Sequence, residues 1–271
     1  MLVAWVACGF ATAAPEARPN YTVYVTPQLA PELMHRGWLP LLDAVARETG
    51  IDLSLKIPPS IAAFEALLLR GLPDFAFANP YMMLPGRKLQ GYAPLLRNGK
   101  TRLVGHLLVR KDGPIRSLQD LDGATIAFPA PNAFAAALYI RAHLARQNIR
   151  FTPLYVGTHS DVYRHVLFGD AAAGGGVNIS LAREPAEIKD MLRPVYSTPP
   201  LVPHAFMSHP RVAPKHREAV VGAMLRLAAR PEQREMFAAA QIPQPVRADY
   251  ERDYAPLESL DLDRFLVFGA E

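Results

Sequence analysis

The chain has 271 residues, of which 50% are hydrophobic and 20% charged, a composition typical of a globular protein long enough for two modest domains. Its net charge is only +4, and the basic residues are scattered along the chain without forming a Lys/Arg face on any predicted helix. These features exclude nucleic acid as an expected partner, while a modest positive field favours small anions.

Residues 1–15 carry no charge and combine an apolar run at 2–10 with small residues at 11–14. This pattern predicts a secretory signal peptide at residues 1–14, without the usual basic start, and hence a periplasmic location. Cys8, the only cysteine of the chain, lies inside this segment. Lipid anchoring through Cys8 is the less favoured alternative, because Trp5 is a poor residue three positions before a lipidated cysteine. Cleavage after residue 13 or 14 would leave no cysteine for disulfide or thiolate chemistry.

Alternating and helix-periodic segments then follow in the order expected of a βαβαβ unit. Strands are predicted at 21–26, 51–57 and 74–78, and helices at 38–50 and 60–71. Such a unit forms a parallel sheet with right-handed crossovers, and its ligands collect at the carboxyl ends of the strands. Thr26, Asn79 and Tyr81 follow such strand ends, so we expect them to border a binding cleft.

An apolar strand at 102–110 is suited to crossing between two lobes, and a second α/β unit follows it. The predicted elements of this unit are strands at 124–128, 151–156 and 171–177, and helices at 117–121, 133–146 and 160–168. A return segment at 194–208, two helices at 214–240 and a tail at 249–268 are predicted to pack on the first lobe.

Two similar units joined in this way predict an α/β fold: a two-lobed clamshell in which each lobe is a mostly parallel sheet flanked by helices. We assign residues 18–104 and 204–271 to lobe 1 and residues 105–203 to lobe 2. The expected crossovers are Gly105–Val109 and Leu201–Ser208, and small flexions there would close the lobes around a ligand.

The segment from Phe128 to Phe134 joins a buried strand to a helix, and it has the features of an anion site. Asn132 is a good N-cap residue for that helix. The first turn, residues 133–136, contains no acidic side chain, so its N–H groups and the positive end of the helix dipole are open to an outside anion. An ordinary capped helix in a loop is the alternative interpretation.

Three stretches together resemble a known family. They are Gly71-Leu72-Pro73-Asp74-Phe75-Ala76-Phe77-Ala78-Asn79-Pro80-Tyr81, the segment 118–131, and Gly157-Thr158-His159-Ser160-Asp161 followed by Val166-Leu167-Phe168-Gly169. In this order they resemble the periplasmic phosphonate/phosphite/phosphate-binding proteins of ABC transporters. The resemblance implies a type II periplasmic-binding fold with an oxyanion in the cleft, delivered to a membrane permease or, in some relatives, to a sensor kinase. We expect a monomer.

The chain also departs from the pattern of that family. Where relatives usually show Ser-Thr-Ser-Gly, this chain has Pro131-Asn132-Ala133-Phe134, so Asn132 and the amides of Ala133 and Phe134 must replace hydroxyl donors. Where relatives show Asp-Ala-Gly, this chain has Ala172-Ala173-Gly174, with Asn178 as the nearest polar replacement. A buried ammonium group needs a carboxylate, so aminoethylphosphonate is not the expected preferred ligand. Cysteine-dependent arsenite-sensing relatives are also disfavoured.

Nine residues form the predicted ligand site, and the resemblance makes His159 an oxyanion donor, although it is also placed to cap its own helix. The set is Thr26, Asn79, Tyr81, Asn132, Ala133, Phe134, His159, Asn178 and His204.

Neither a catalytic site nor a metal or cofactor site is predicted. His159 and His165 are six residues apart and do not share a helical face as a metal pair would. The sequence has no G-x-S-x-G or H-E-x-x-H string. The resemblance implies a solute-binding protein, and without such motifs we expect no enzyme. The alternative function is a ligand sensor that reports to a membrane histidine kinase.

Overall fold

The computed structural model describes residues 17–268, so the predicted signal peptide and Cys8 lie outside the described residues. The strands are β1 (Asn20–Val25), β2 (Asp52–Lys56), β3 (Phe75–Ala78), β4 (Ala93–Asn98), β5 (Gly105–Arg110), β6 (Ala124–Phe128), β7 (Phe151–Tyr155), β8 (Ala173–Val177), β9 (Leu192–Ser197), β10 (Ala205–Ser208) and β11 (Pro245–Arg247). The α-helices are α1 (Pro31–Thr49), α2 (Ile61–Leu69), α3 (Met83–Gln90), α4 (Tyr139–Arg146), α5 (His159–Phe168), α6 (Asn178–Arg183), α7 (Ala186–Lys189), α8 (Pro214–Ala228) and α9 (Arg234–Ala239).

The first sheet has the strand order β11-β4-β10-β3-β1-β2. Strand β1 runs parallel to β2 and β3, as the βαβαβ pattern predicts. Strand β10 pairs antiparallel with both β3 and β4, because the chain re-enters this sheet from the opposite side after visiting the second one.

The second sheet has the order β7-β6-β8-β5-β9. Strand β6 is parallel to β7 and β8, whereas β5 is antiparallel to β8 and β9. The two sheets of the clamshell are therefore mixed: each keeps a parallel part built by βαβ units. The antiparallel strands β5, β9 and β10 flank the segments that cross between the sheets, and β11 adds to the edge of the first sheet, antiparallel to β4.

The segments that connect the two sheets are residues 99–104 and 198–204. They pair with each other, since Leu103 and Leu201 exchange two backbone hydrogen bonds of 3.0 and 2.8 Å. The predicted crossover Gly105–Val109 is instead part of β5. Of the predicted crossover Leu201–Ser208, residues 201–204 lie in the second connecting segment, and Ala205–Ser208 is strand β10. These apolar runs are buried on both faces of their sheets, which is why they cannot serve as exposed hinges.

Three hydrophobic clusters are found among residues 17–268; one packs α5 against the second sheet, and the other two involve the first sheet. Of these two, one lies on the first sheet alone, where Trp38 packs 5.0 Å from Phe77 and Phe75 stacks 5.5 Å from Phe206, measured between ring centroids. The other joins residues of both sheets, and it includes Tyr81 from one side and Phe134 from the other. Each fully buried ring of this kind contributes about 1.5–3 kcal/mol relative to exposure. The described structure is thus a closed form in which the lobes share a core.

The C-terminal tail contacts both lobes, and not only the first lobe as the sequence analysis predicts. Arg141 donates to the carbonyl of Phe265 at 3.1 Å, and Arg146 donates to that of Leu260 at 2.6 Å. The tail reaches the second lobe because these arginines satisfy carbonyl groups that its short helical turns leave unpaired.

Candidate functional site

The helix that follows β6 begins with a π-helical turn, Phe134–Leu138, before α4. The first amides that bond backwards are those of Ala137 and Leu138, which both donate to the carbonyl of Ala133 at 2.7 and 3.2 Å. Within residues 17–268, the amides of Phe134, Ala135 and Ala136 have no acceptor. Ala133, by contrast, donates its N–H to Ala130 at 3.3 Å. Of the predicted pair of donors, the amide of Phe134 is therefore free and that of Ala133 is not, and the amides of the next two residues are free as well.

Glycines in the second sheet allow this turn to lie directly on the sheet. A Cβ atom on Gly105 would lie 2.0 Å from the carbonyl oxygen of Ala135, and one on Gly175 would lie 1.9 Å from that of Ala136. Both distances are far below any contact that a real side chain could make. The glycine-rich strand β8 therefore serves a close approach by the helix backbone, which fixes where the free amides sit.

Asn132 does not cap the helix as predicted. Its side-chain oxygen accepts from the amide of Val267 at 3.0 Å, and its Nδ2 donates to Glu65 Oε2 and to the Val267 carbonyl, both at 2.8 Å. Asn132 is only 1% exposed, and Ala133 holds the N-cap position without a side-chain bond. Because all its polar atoms are occupied, Asn132 ties α2, the helix start and the tail together.

A cavity of about 20 Å³ lies between the lobes at this helix start. Five polar side chains contribute to its wall, and none of its lining residues carries a carboxylate, an ammonium or a guanidinium group. The lining residues are Thr26, Gln28, Ile61, Asn79, Leu103, Ala133, Phe134, Ala135, Ala136, His159, Val177 and His204. Six of the nine predicted site residues meet here: Thr26, Asn79, Ala133, Phe134, His159 and His204.

The two histidines of the cavity are neutral near pH 7. Burial lowers the pKa of His159 to about 4. The pKa of His204 is lowered to about 3, mainly by burial and to a smaller extent by the charge of His159. The Nδ1 atom of His159 is buried and has no hydrogen-bond partner in the described part of the chain, and the His204 ring stacks 5.4 Å from Phe77. A neutral imidazole offers one N–H donor, so each ring can donate one bond into the cavity.

The first lobe supplies three further polar side chains. The Thr26 hydroxyl donates to the Phe77 carbonyl at 3.0 Å, and Asn79 Oδ1 accepts from the Met82 amide at 3.1 Å. Gln28 has a buried Nε2 that finds no partner among residues 17–268. Gln28 is not among the predicted site residues, although it lies three residues beyond the end of β1, close to Thr26.

Tyr81 and Asn178, like Asn132, are absent from the cavity lining because their polar atoms are bonded elsewhere. The Tyr81 hydroxyl donates to Asp263 at 2.7 Å while its ring stacks on Phe134. Asn178 accepts from the Val104 amide at 3.1 Å and donates to the Arg102 carbonyl at 2.9 Å. The structure thus gives Tyr81 a role in holding the tail and Asn178 a role in holding the first crossover.

Among residues 17–268, none of the helices is both long and apolar enough to cross a bilayer. No group of three or more His, Cys, Asp or Glu side chains in the same range is close enough to hold a metal ion.

Three solved structures illustrate the architecture that this chain shares. The binding component of a phosphonate ABC transporter from Pseudomonas aeruginosa has a TM-score of 0.80 at 15% identity, covering 92% of this chain and 88% of its own. PhnD1 from Prochlorococcus marinus, in complex with methylphosphonate, has a TM-score of 0.79 at 11% identity and covers 89% and 96%. A Xanthomonas citri protein bound to ATP has a TM-score of 0.74 at 21% identity and covers 91% and 98%. At these identities the likeness establishes the fold alone.

A search of curated proteins gave no match. A family model for the periplasmic substrate-binding protein of phosphonate ABC transporters, in contrast, matches residues 23–254, which is most of the chain and includes both sheets. The chain therefore belongs to the family of periplasmic substrate-binding proteins of phosphonate ABC transporters.

Proposed function

We propose that this protein binds a small phosphonate-like oxyanion in the cavity between its lobes and delivers it to a membrane permease. The observation that carries the proposal is the group of free amides at Phe134, Ala135 and Ala136, which line the same cavity as five polar side chains. Amides at a helix start bind anions well, because they point at the ligand and the helix dipole favours negative charge.

The absence of a cationic side chain from the cavity lining does not oppose this function. An oxyanion removed from water needs several hydrogen bonds, and each bond to a charged oxygen is stronger than a bond between neutral groups. His159 and His204 can add one donor each, and Gln28 has a free amide nitrogen. These donors are suited to bind an anion through directed hydrogen bonds, without an ion pair to the protein.

We further propose that phosphonates with an uncharged substituent bind better than aminoethylphosphonate. An ammonium group in this cavity would find no carboxylate among the lining residues. Burying an unpaired ammonium costs several kcal/mol. This cost would exceed the binding free energy that the aminoethyl substituent contributes through its other contacts. The relative from Prochlorococcus marinus, solved with methylphosphonate, is a precedent for the simpler ligand.

Ligand capture and closure are proposed to be one event. In the closed form a single core joins residues of both sheets, and Asn132 of one lobe contacts Glu65 of the other. We propose lobes of residues 18–104 with 204–271 and 105–203, moving about the paired crossovers. A monomer that works outside the cytoplasm, with no catalytic step, completes the proposal. A role in sensing would use the same site, but nothing in the structure favours it over transport.

Titration calorimetry with phosphate, phosphite, methylphosphonate, aminoethylphosphonate and sulfate tests the function. Methylphosphonate should bind and should raise the thermal midpoint by mass action, and solution scattering should show compaction when it saturates the protein. Tighter binding of aminoethylphosphonate would contradict the proposed preference. No heat and no thermal shift with any phosphorus oxyanion would contradict the function itself.

A further inference from the structure

The inter-lobe cavity contains hydrogen-bond acceptors as well as donors. The only hydrogen of the Thr26 hydroxyl is donated to the Phe77 carbonyl at 3.0 Å, so the Thr26 oxygen can only accept a bond from a ligand. A neutral imidazole has one nitrogen with a hydrogen and one with a lone pair, so His159 and His204 each bring an acceptor together with their donor. A ligand that offers acceptors alone would leave these lone pairs without a hydrogen.

His159 is the histidine whose acceptor most needs a ligand. Its residue is 4% exposed, and its buried Nδ1 has no hydrogen-bond partner among residues 17–268. A buried polar atom without a partner destabilises the folded protein. A hydrogen supplied to this nitrogen by the ligand would therefore favour binding.

The charged groups on the elements around His159 are bonded to other protein groups. They are Asp161 of α5, Glu184 after α6, Arg183 of α6 and Glu65 of α2, which contact Thr158, Ser160, Ala238 and Asn132 respectively. His204, whose pKa responds to His159, is neutral near pH 7 because burial disfavours its charged form. The hydrogen of a bound ligand therefore meets a neutral acceptor and stays on the ligand.

We propose that the cavity binds the singly protonated monoanion of a phosphonate, and that His159 selects this form by accepting a hydrogen bond from its P–OH group. The other two phosphonate oxygens lie on the amides of residues 134–136. A monoanion also suits a lining without a cation, because one charge costs less to remove from water than two. This inference names the charge form of the ligand and rests on the proposed function.

The alternative is a dianion held by donors alone, with the hydrogen of the His159 ring on Nδ1. In that case the affinity would stay constant or rise as the ligand loses its second proton. Binding of the monoanion instead makes the affinity fall about tenfold for each pH unit above the second pKa of the ligand, because the form that binds becomes scarcer by that factor. His159 itself stays neutral over this range, because burial lowers its pKa to about 4.

The test is titration calorimetry with methylphosphonate, methanesulfonate and sulfate at pH 6, repeated for methylphosphonate at pH 7, 8 and 9. At pH 6 methylphosphonate is present mainly as its monoanion, and methanesulfonate has the same shape and charge but no O–H group. We expect methanesulfonate and sulfate to bind at least about tenfold more weakly than methylphosphonate. The affinity for methylphosphonate should fall as the pH rises from 7 to 9.

Substitutions of His159 assign the preference to its acceptor. His159→Leu should reduce the ratio of the methylphosphonate and methanesulfonate affinities to within about threefold. His159→Asn keeps an acceptor close to the position of Nδ1 and should keep the preference. His204→Leu, which changes the other histidine of the cavity, and His35→Leu, at an exposed position of α1, are the controls and should keep it as well. Thermal unfolding shows that each variant is folded before it is titrated.

Three results would overturn the inference. Equal binding of methylphosphonate and methanesulfonate, or an affinity that does not fall between pH 7 and pH 9, would show that the P–OH group is not recognised, while the proposed function would remain intact. A preference that survives in His159→Leu, or that is lost in His204→Leu, would show that another residue accepts the hydrogen. Failure of methylphosphonate to bind at any of these pH values would overturn the proposed function together with this inference.

Discussion

The two walls of the inter-lobe cavity present hydrogen-bond donors of different kinds. On the second lobe, the main-chain wall consists of the amides of residues 134–136. The side-chain wall consists of Thr26, Gln28, Asn79 and His204 on the first lobe and the adjoining crossover, and of His159 at the start of α5. The main-chain wall is fixed by packing, since Gly105 and Gly175 let the helix start lie on the sheet.

Because of this difference, we expect the main-chain wall to provide affinity for an anion and the side-chain wall to provide selectivity among anions. The amides of the main-chain wall are present whatever the side chains of residues 134–136 are, so they provide a constant anion site. Each polar side chain of the side-chain wall can be exchanged singly by substitution. Changes that disturb the main-chain wall should therefore have the largest effects.

Replacement of Gly175 by alanine should have the greatest effect of all. The new Cβ would lie 1.9 Å from the Ala136 carbonyl oxygen, so the helix start must move away from the sheet. We expect a loss of at least about 2 kcal/mol in the free energy of unfolding and no measurable methylphosphonate binding. Gly86→Ala is the control, because its Cβ would meet nothing closer than 3.6 Å. Retained binding in Gly175→Ala, measured by calorimetry, would contradict the importance of the glycine support.

Ala133→Asp should abolish binding while the fold is kept. Ala133 holds the N-cap position, where an aspartate side chain accepts from the amides of the next residues. The carboxylate would occupy the donors of the main-chain wall and repel an incoming anion. We expect affinity for methylphosphonate to fall at least about a hundredfold, with a thermal midpoint at or above that of the parent.

Ala133→Ser provides the matched control for that substitution. It introduces a hydroxyl but no charge, and it should bind within about tenfold of the parent, since a neutral hydrogen bond is worth about 1 kcal/mol. If the aspartate and serine variants bind methylphosphonate equally, the anion does not lie at this helix start.

His159→Gln should change how stability depends on pH. The folded protein holds the pKa of His159 at about 4, against an ordinary value of 6.5, so between these values the unfolded chain binds more protons. The contribution of His159 to stability is therefore complete above pH 6.5, decreases as the pH falls toward 4, and decreases no further below that. The full shift corresponds to about 3 kcal/mol.

Urea unfolding at pH 7 and pH 4.5 measures this effect. His159→Gln should lose less stability between the two pH values than the parent does. His35→Gln, at an exposed position of α1, should lose as much as the parent. If the His159 variant loses as much unfolding free energy between pH 7 and pH 4.5 as the parent does, another group controls acid unfolding.

Tyr81→Phe should have the smallest effect on binding. The Tyr81 hydroxyl donates to Asp263 of the tail and lies outside the cavity lining. We expect methylphosphonate affinity to change less than about threefold, with a loss of about 1 kcal/mol in stability from the broken bond. A tenfold loss of affinity in calorimetry would mean that Tyr81 turns toward the ligand when it binds.

The sequence predicts local features of this protein well. Strand β6 has the predicted bounds at 124–128, and the βαβαβ order of the first unit is confirmed by the pairing of β1 with β2 and β3. The free amides near residue 133 are also found within two residues of the prediction. These features depend on periodicity and on the absence of acidic residues, which a linear sequence shows directly.

The ligand-binding roles predicted for individual side chains were less accurate, because the hydrogen-bond partners of these side chains lie far along the chain. Asn132 bonds Val267, which is 135 residues away, and Tyr81 bonds Asp263, which is 182 residues away. A short polar residue beside a binding motif looks free in the sequence until the tail is folded over it. Gln28 shows the converse, since its burial without a partner is visible only in the assembled cavity.

The pairing of Leu103 with Leu201 has a mechanical consequence. Because the two crossovers exchange main-chain hydrogen bonds, they form a short two-stranded ribbon, and the side chain of Asn178 holds one of its edges. A ribbon bends across its face far more readily than within its plane, so the lobes should swing along a single arc. A membrane partner that recognises the closed protein would then always meet the same spacing between the two lobes, whichever ligand is carried.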